Sequence, residues 1–333
     1  MTRHPGPWFA LTIFCSAFLL FQVQPIIGRI VLPWFGGTPA TWTTCLLFFQ
    51  TTLLAGYLYA HLLASLSGRT TQVVLHLALL LASATLLPFT PDAVWKPDAA
   101  TSPTFQVLLL LLVHVGGPFF ILSSTNPLLQ RWFTTCTGGA SPYRLYALSN
   151  AGSLLALVTY PFLVEPLLPV RGQVLAWSGL YLVYVAGSVG CAVLFLRGMH
   201  RIPDPGTCSP DSTPGRAAPP GCAADDPPTP CPGPTAGDML MWLLLAATAS
   251  AMLMATTNQM CQEVASVPFL WILPLGLYLL SFIICFDHDR WYDRRVWGAV
   301  LLLAVPLATH VLIRGVTASI TLQLSVLALI LLA

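Results

Sequence analysis

The chain has 333 residues, of which 56% are apolar and only 8% charged, with a formal net charge of +2 and a mean hydropathy of +0.76. A water-soluble domain carries about 25% charged residues, so this composition cannot cover a water-facing surface; lipid must be the solvent for most of the chain. The single lysine, Lys96, and the scattered arginines form no basic patch, which excludes nucleic acid as a partner.

In hydrocarbon every backbone N–H and C=O needs an internal partner, so a spanning segment is a helix or a strand of a closed barrel. Barrel strands are about ten residues long and alternate apolar with polar. The apolar runs here approach twice that length without alternation. The expected fold class is therefore all-α, a polytopic transmembrane bundle of about ten spans. These fall at residues 8–27, 43–65, 72–89, 104–124, 145–164, 172–196, 238–257, 267–286, 296–313 and 317–333. Each is close to the ~20 residues that cross a ~30 Å core. The first run has a short basic start at Arg3 and His4, but no small-residue cleavage pattern follows, so it reads as a retained helix rather than a signal peptide.

Polar residues within the spans need a reason, because each costs free energy in lipid without a partner. Gln22, Gln24 and Arg29 stand at the end of the first span. Either they line a polar cavity, or Arg29 reaches for the interface while the glutamines bond neighbouring helices. The next stretch, Leu32–Trp42 (L-P-W-F-G-G-T-P-A-T-W), has two prolines and two glycines that argue against a regular helix, and Trp34 and Trp42 suit a membrane interface. It reads as a re-entrant or external loop. Ser123-Ser124-Thr125-Asn126-Pro127 lies where the fourth span should leave the membrane, as a broken helix or a helix end. Tyr143–Asn150 opens the fifth span, and Glu165-Pro166 follows its end. Thr256, Asn258 and Glu263 fall at the end of the seventh.

The positive charges fix an expected topology. With the N-terminus placed on one side, that side collects Arg3, Arg69, Arg131, Arg144, Arg197, Arg201, Arg216, Arg290, Arg294 and Arg295, against Arg29, Lys96, Arg171 and Arg314 on the other. Positive charge stays cytoplasmic, so the N-terminus is expected inside. The segment Gly198–Gly237 then lies in the cytoplasm. Its 11 prolines and six glycines in 40 residues make it a disordered linker between a first half, 1–197, and a second, 238–333. Cys208, Cys222 and Cys231 within it should be reduced thiols. No C-x-x-C or other ligand spacing points to a metal.

The halves show a short internal likeness. At an offset of 234, Ala17 meets Ala251, Leu19 meets Leu253, Gln22 meets Thr256, Gln24 meets Asn258 and Arg29 meets Glu263. A parallel six-helix repeat is one of the known transporter arrangements. By the expected topology Glu165 and Glu263 are the two acidic residues next to a span on the outer face. Either they attract an organic cation by charge and cation–π contact with nearby rings, or Glu263 pairs with Arg29. Nucleotide-binding glycine loops, a nucleophile elbow and the H-E-x-x-H pattern are all missing, so no catalytic residue and no cofactor are expected from this chain. His61, His76 and His114 sit singly on apolar stretches without ligand spacing.

Four stretches resemble a known family: residues 21–50 (F-Q-V-Q-P-I-I-G-R-I-V-L-P-W-F-G-G-T-P-A-T-W-T-T-C-L-L-F-F-Q), 124–133 (S-T-N-P-L-L-Q-R-W-F), 142–154 (P-Y-R-L-Y-A-L-S-N-A-G-S-L) and 264–282 (V-A-S-V-P-F-L-W-I-L-P-L-G-L-Y-L-L-S-F). They look like the membrane region of bacterial fused membrane and spermidine-synthase-like proteins. The resemblance implies a major-facilitator-like bundle in a bacterial plasma (inner) membrane, joined to an aminopropyltransferase-like domain that this chain does not contain. Together with the six-plus-linker layout and the outer-face carboxylates, it leads to the expectation of a small cationic metabolite such as a polyamine as ligand; the residues read from their own polarity and position, Gln22, Gln24, Arg29, Trp42, Asn126, Asn150, Glu165, Asn258 and Glu263, are the candidate lining. The alternative it leaves open is a membrane anchor for the cytoplasmic synthase-like domain. One departure is the loop Ala64–Arg69 (A-S-L-S-G-R), which lacks the aspartate of the major-facilitator G-x-x-x-D-R-x-G-R loop.

The last apolar run, Ser319–Ala333, is not closed by a polar residue, which leads to the expectation of a longer parent protein. Sequencing the source DNA beyond the Ala333 codon should reveal two further spans and then a glycine-rich nucleotide-binding domain; a stop codon at that point would refute the fused architecture.

Overall fold

The computed structural model describes residues 6–36, 39–66, 68–97, 102–137, 142–197, 235–263, 272–287, 293–314 and 320–332. Among them every regular element is a helix. We number ten helical rods: α1 Gly6–Phe35, α2 Pro39–Leu66, α3 Arg69–Ala84, α4 Pro103–Cys136, α5 Tyr143–Leu167, α6 Val170–Arg197, α7 Ala236–Glu263, α8 Ile272–Asp287, α9 Arg294–Arg314 and α10 Ile320–Leu332. A rod stands at each of the ten expected places. Six of them, α1, α2, α4, α5, α6 and α7, are long and apolar enough to cross a membrane. The chain is thus an all-helical membrane protein, and its α3 and α8 are shorter than a full crossing. The linker expected at 198–237 lies outside the described residues up to 234. Its end differs from the expectation, because α7 already begins at Ala236. Thr235 and Asp238 cap it reciprocally: the Asp238 carboxylate accepts from the Thr235 N–H at 2.9 Å, and Thr235 Oγ1 accepts from the Asp238 N–H at 3.2 Å.

Two expectations about helix breaks are corrected. The stretch Leu32–Trp42 is not a loop: α1 runs on through Pro33 to Phe35, and α2 starts again at Pro39. The physical reason is that a proline at the first position of a helix has no N–H to lose. Gly36 follows α1 with a φ of 85°, in the left-handed region open to glycine, and residues 37 and 38 lie outside the described residues. Likewise α4 is not broken at Asn126-Pro127 but carries Pro127 inside a helix that continues to Cys136.

Backbone irregularity appears elsewhere. α4 contains a single π-helical turn at Leu112–Gly116 and α5 another at Tyr160–Val164. Each adjoins a proline, Pro118 in the first case and Pro161 with Pro166 in the second. A proline cannot supply the N–H that the carbonyl four residues earlier expects, and a widened turn passes the bonding on by one residue.

The helix α1 is the axis of the first six. It packs against α4, α5 and α6, with α2 set against α4 and α3 against α4 and α6. Its buried residues, among them Phe9, Ile13, Leu19, Val23 and Ile27, run the length of the helix and around most of its girth. α8 packs on the flank of α5, α7 and α10 pack on α8 and on each other, and α9 packs on α10. Lipid is as apolar as leucine, so helices in it associate through close packing rather than through expulsion of water. Small residues provide that closeness. A Cβ on Gly152 of α5 would lie 2.7 Å from the backbone oxygen of Phe14 in α1, and one on Gly187 of α6 2.7 Å from Thr12 Oγ1. On Gly56 of α2 it would fall 1.8 Å from Ser123 Oγ in α4.

These crossings predict the effect of adding one methyl group. Gly152→Ala should destabilise the purified protein by about 1–3 kcal/mol, since the backbone of α1 must move. Gly179→Ala, where nothing lies within 4 Å, should be neutral or stabilising by up to about 1 kcal/mol. Thermal unfolding in detergent compares the two directly.

Candidate functional site

The structure gathers the candidate polar residues into two separate clusters. The first lies where α1 and α5 end together. Gln22, 3% exposed, donates from Nε2 to Ala156 O at 3.0 Å and to Thr159 Oγ1 at 3.1 Å. Tyr160 follows on α5 and donates its hydroxyl to Pro25 O or to Gln173 Oε1, each at 3.3 Å. Gln173 on α6 in turn donates to Leu168 O at 2.9 Å. Beyond them Arg29 Nη1 stands 3.6 Å from the Glu165 carboxylate, with the two side chains 40% and 38% exposed. The same nitrogen reaches Glu165 O at 3.5 Å. Gln24 turns away and bonds Leu20 O of its own helix at 3.5 Å.

Among the described residues the carboxylate partner of Arg29 is Glu165, on α5. An ion pair this exposed is screened by water and contributes about 0–1 kcal/mol. It is an exchangeable contact rather than a structural rivet. Gln22 differs: it is enclosed, both of its bonds cross to another helix, and removing it leaves a carbonyl and a hydroxyl on α5 without that donor.

The second cluster lies lower on α5. Asn126 Nδ2 donates to Ser149 Oγ at 3.0 Å, and Gln130 Nε2 donates back to Asn126 Oδ1 at 2.7 Å. Asn126 and Gln130 are four apart and share a face of α4. Pro127 has no N–H for Ser123 O four residues earlier, and the hydroxyls of the preceding turn bond other carbonyls: Ser123 bonds Phe120 O, and Ser124 and Thr125 both bond Ile121 O. Tyr57 of α2 and Tyr146 of α5 lie close enough to interact electrostatically, and Asn150 is half-buried beside Ser149. Ser149 is 16 residues from Glu165 and seven from Ala156 on one helix, which places the second cluster about 24 Å from the Arg29–Glu165 pair and about 10 Å from the Gln22 bonds along its axis. They do not form one pocket.

A cavity of about 460 Å³ opens beside the first cluster, lined by Ile30, Thr90, Pro91, Val170, Arg171 and Val174. Of the remaining candidates, Trp42 lies on α2, and Asn258 and Glu263 lie on α7; their side chains are outside the described residues. Among the described residues no group of His, Cys, Asp or Glu side chains has the makings of a metal site. Sequence reasoning passed over Tyr160 and Gln173 as site residues. Their signal was weak, since a tyrosine or glutamine near a helix end is equally at home at a membrane interface.

Compared with family models, with curated proteins and with solved structures, the chain matches none. The chemistry of the two clusters therefore has to speak for itself.

Replacing Gln22 with Leu should cost about 0.5–2 kcal/mol of stability, the range of an interhelical hydrogen bond in a membrane protein. Gln24→Leu, which severs only a contact within α1, should cost less than half of that. Unfolding of both variants in detergent against the parent gives the ratio.

Proposed function

We propose that this chain is a membrane module that binds a small organic cation, a polyamine being the fitting class, at the rim formed by Arg29, Glu165 and Tyr160. The observation that carries the reading is the Arg29–Glu165 pair itself. A guanidinium already rests on that carboxylate, at a separation of 3.6 Å and with more than a third of each side chain exposed, so a second cation has a site to compete for. A diffusing ammonium group that displaced Arg29 would meet the Glu165 carboxylate and the adjacent Tyr160 ring, a pairing of charge and π face suited to alkylammonium ions. The released Arg29 would then repel further cations, which limits the carboxylate to one ammonium group at a time. Movement of the bound ion across the bilayer, with the N-terminus in the cytoplasm of a bacterial inner membrane, belongs to the same proposal.

One observation favours the anchor reading instead: among the described residues, no acidic side chain lies in the middle of a long apolar helix. A conducting path for a cation needs some such relay, whereas an anchor for a synthase-like domain needs none.

Equilibrium binding of radiolabelled spermidine to the purified chain in proteoliposomes separates the two. Glu165→Gln should weaken binding at least tenfold, and the double variant Glu165→Gln, Glu263→Gln should abolish it. Arg29→Gln should strengthen it by removing the tethered competitor. Binding that survives the double variant would end the carboxylate role and leave the anchor.

A further inference from the structure

The described histidines show two opposite ways of living in an apolar bundle. His114 of α4 turns Nδ1 toward Leu110 O at 3.0 Å and sets its ring edge-on to Trp95 at 4.9 Å. His76 of α3 is 1% exposed, yet neither Nδ1 nor Nε2 has a hydrogen-bond partner. The hydroxyl of Tyr59, whose ring stacks on His76 at 6.2 Å from α2, is also without one. A histidine kept only to fill space would be expected to satisfy at least one nitrogen, because buried polar groups are nearly always bonded. An ionisable side chain inside a membrane bundle that is left unbonded points to a role that needs the free nitrogen.

The neighbours define what that nitrogen can accept. From α4, Trp132 stands edge-on to His76 at 6.0 Å, and its N–H is committed to Gln72 Oε1 at 3.1 Å. From α6, Phe195 stacks on Trp132 at 4.8 Å and carries the Arg69 guanidinium over its other side at 6.0 Å. The titratable groups that α6 presents to this core are already engaged: Tyr181 with Ser83, Tyr184 with Thr125, and Cys191 with Thr12. Cys136 at the end of α4 faces Leu194 O. None of these partners is a carboxylate, and Arg69 on the same helix opposes a second positive charge. One imidazole is too few ligands to hold a metal, and among the described residues no carboxylate is there to pair with an organic cation. What it offers is a lone pair, an N–H and two π faces.

We infer that His76, with Tyr59 beside it, is a buried proton-binding site whose occupancy sets how tightly α3 packs on α2 and α4. Taking up a proton turns the imidazole lone pair into a second N–H and gives the ring a full charge. The rings of Tyr59 and Trp132 attract that charge, but without a counter-ion it also demands water, and water reaches His76 only when α3 parts from its neighbours. Acid therefore favours the parted arrangement and neutral pH the closed one. The polyamine rim plays no part in this, so either proposal can fail alone.

The test uses the full chain in detergent micelles with ¹⁵N-labelled histidine. Replacing the other histidines one at a time assigns the His76 ring signal. Titrated from about pH 8 down to about pH 3, through and below the window in which histidine ordinarily changes charge, the His76 nitrogens should pass from the neutral to the charged pattern. The thermal unfolding midpoint should fall over the same interval. His76→Leu should remove most of that fall, and Tyr59→Phe should shift the His76 titration. A ring that stays neutral throughout would overturn the inference, as would an acid loss of stability that persists undiminished in His76→Leu. Should His76→Leu not fold, the titration of the parent chain decides alone.

Discussion

Lipid offers the backbone no hydrogen bonds, and everything in this molecule follows from that refusal. It makes every crossing a helix. It makes each proline an event, because the missing N–H must be covered by a hydroxyl, a widened turn or a helix start. It also gives each glutamine and asparagine in the bundle a direction, toward a neighbouring helix and away from the surrounding chains of hydrocarbon. The Gln22 bonds to α5 and the Asn126 bond to Ser149 are the same solution applied at two heights.

That solution has a functional corollary. A bundle whose polar groups are nearly all spoken for leaves few places at which anything else can bind. Within the described residues two such places are the half-exposed Arg29–Glu165 pair at the rim and the unbonded His76–Tyr59 pair in the core. One is wet and charged, the other enclosed and neutral. A ligand for the first competes with a weak ion pair; a ligand for the second has to be small enough to enter a packed interior.

Much of the architecture was legible in the sequence, and the reason is physical. Hydropathy over about 20 residues reports a helix directly when the solvent is lipid, so the positions of all ten rods were readable, as was the polarity of Gln22, Arg29, Asn126 and Glu165. What could not be read was partnership. Arg29 pairs with Glu165 because α1 and α5 end side by side, and nothing local to either residue encodes that neighbourhood. The course of the chain through Pro33, Pro39 and Pro127 was misjudged for a related reason. Proline's cost depends on whether a neighbouring group covers the orphaned carbonyl, and that group is often far away in sequence or one turn earlier. His76 looked like a lone histidine on an apolar face, and only its surroundings reveal that its nitrogens have been left bare.

The π turn at Leu112–Gly116 has a bearing on how α4 presents its two ends. One residue of an α-helix subtends about 100°. A turn that accommodates an additional residue resets the phase of everything after it, so the first third of α4 and the stretch bearing Asn126 and Gln130 do not share the azimuth an unbroken helix would give them. The turn thus acts as a built-in rotation. It lets the upper part of α4 choose its apolar neighbours independently of the lower part, where Asn126 must point at Ser149. Lineages that lose a residue here would keep the helix yet swing one end of it around its axis, and the neighbours at that end would have to change with it.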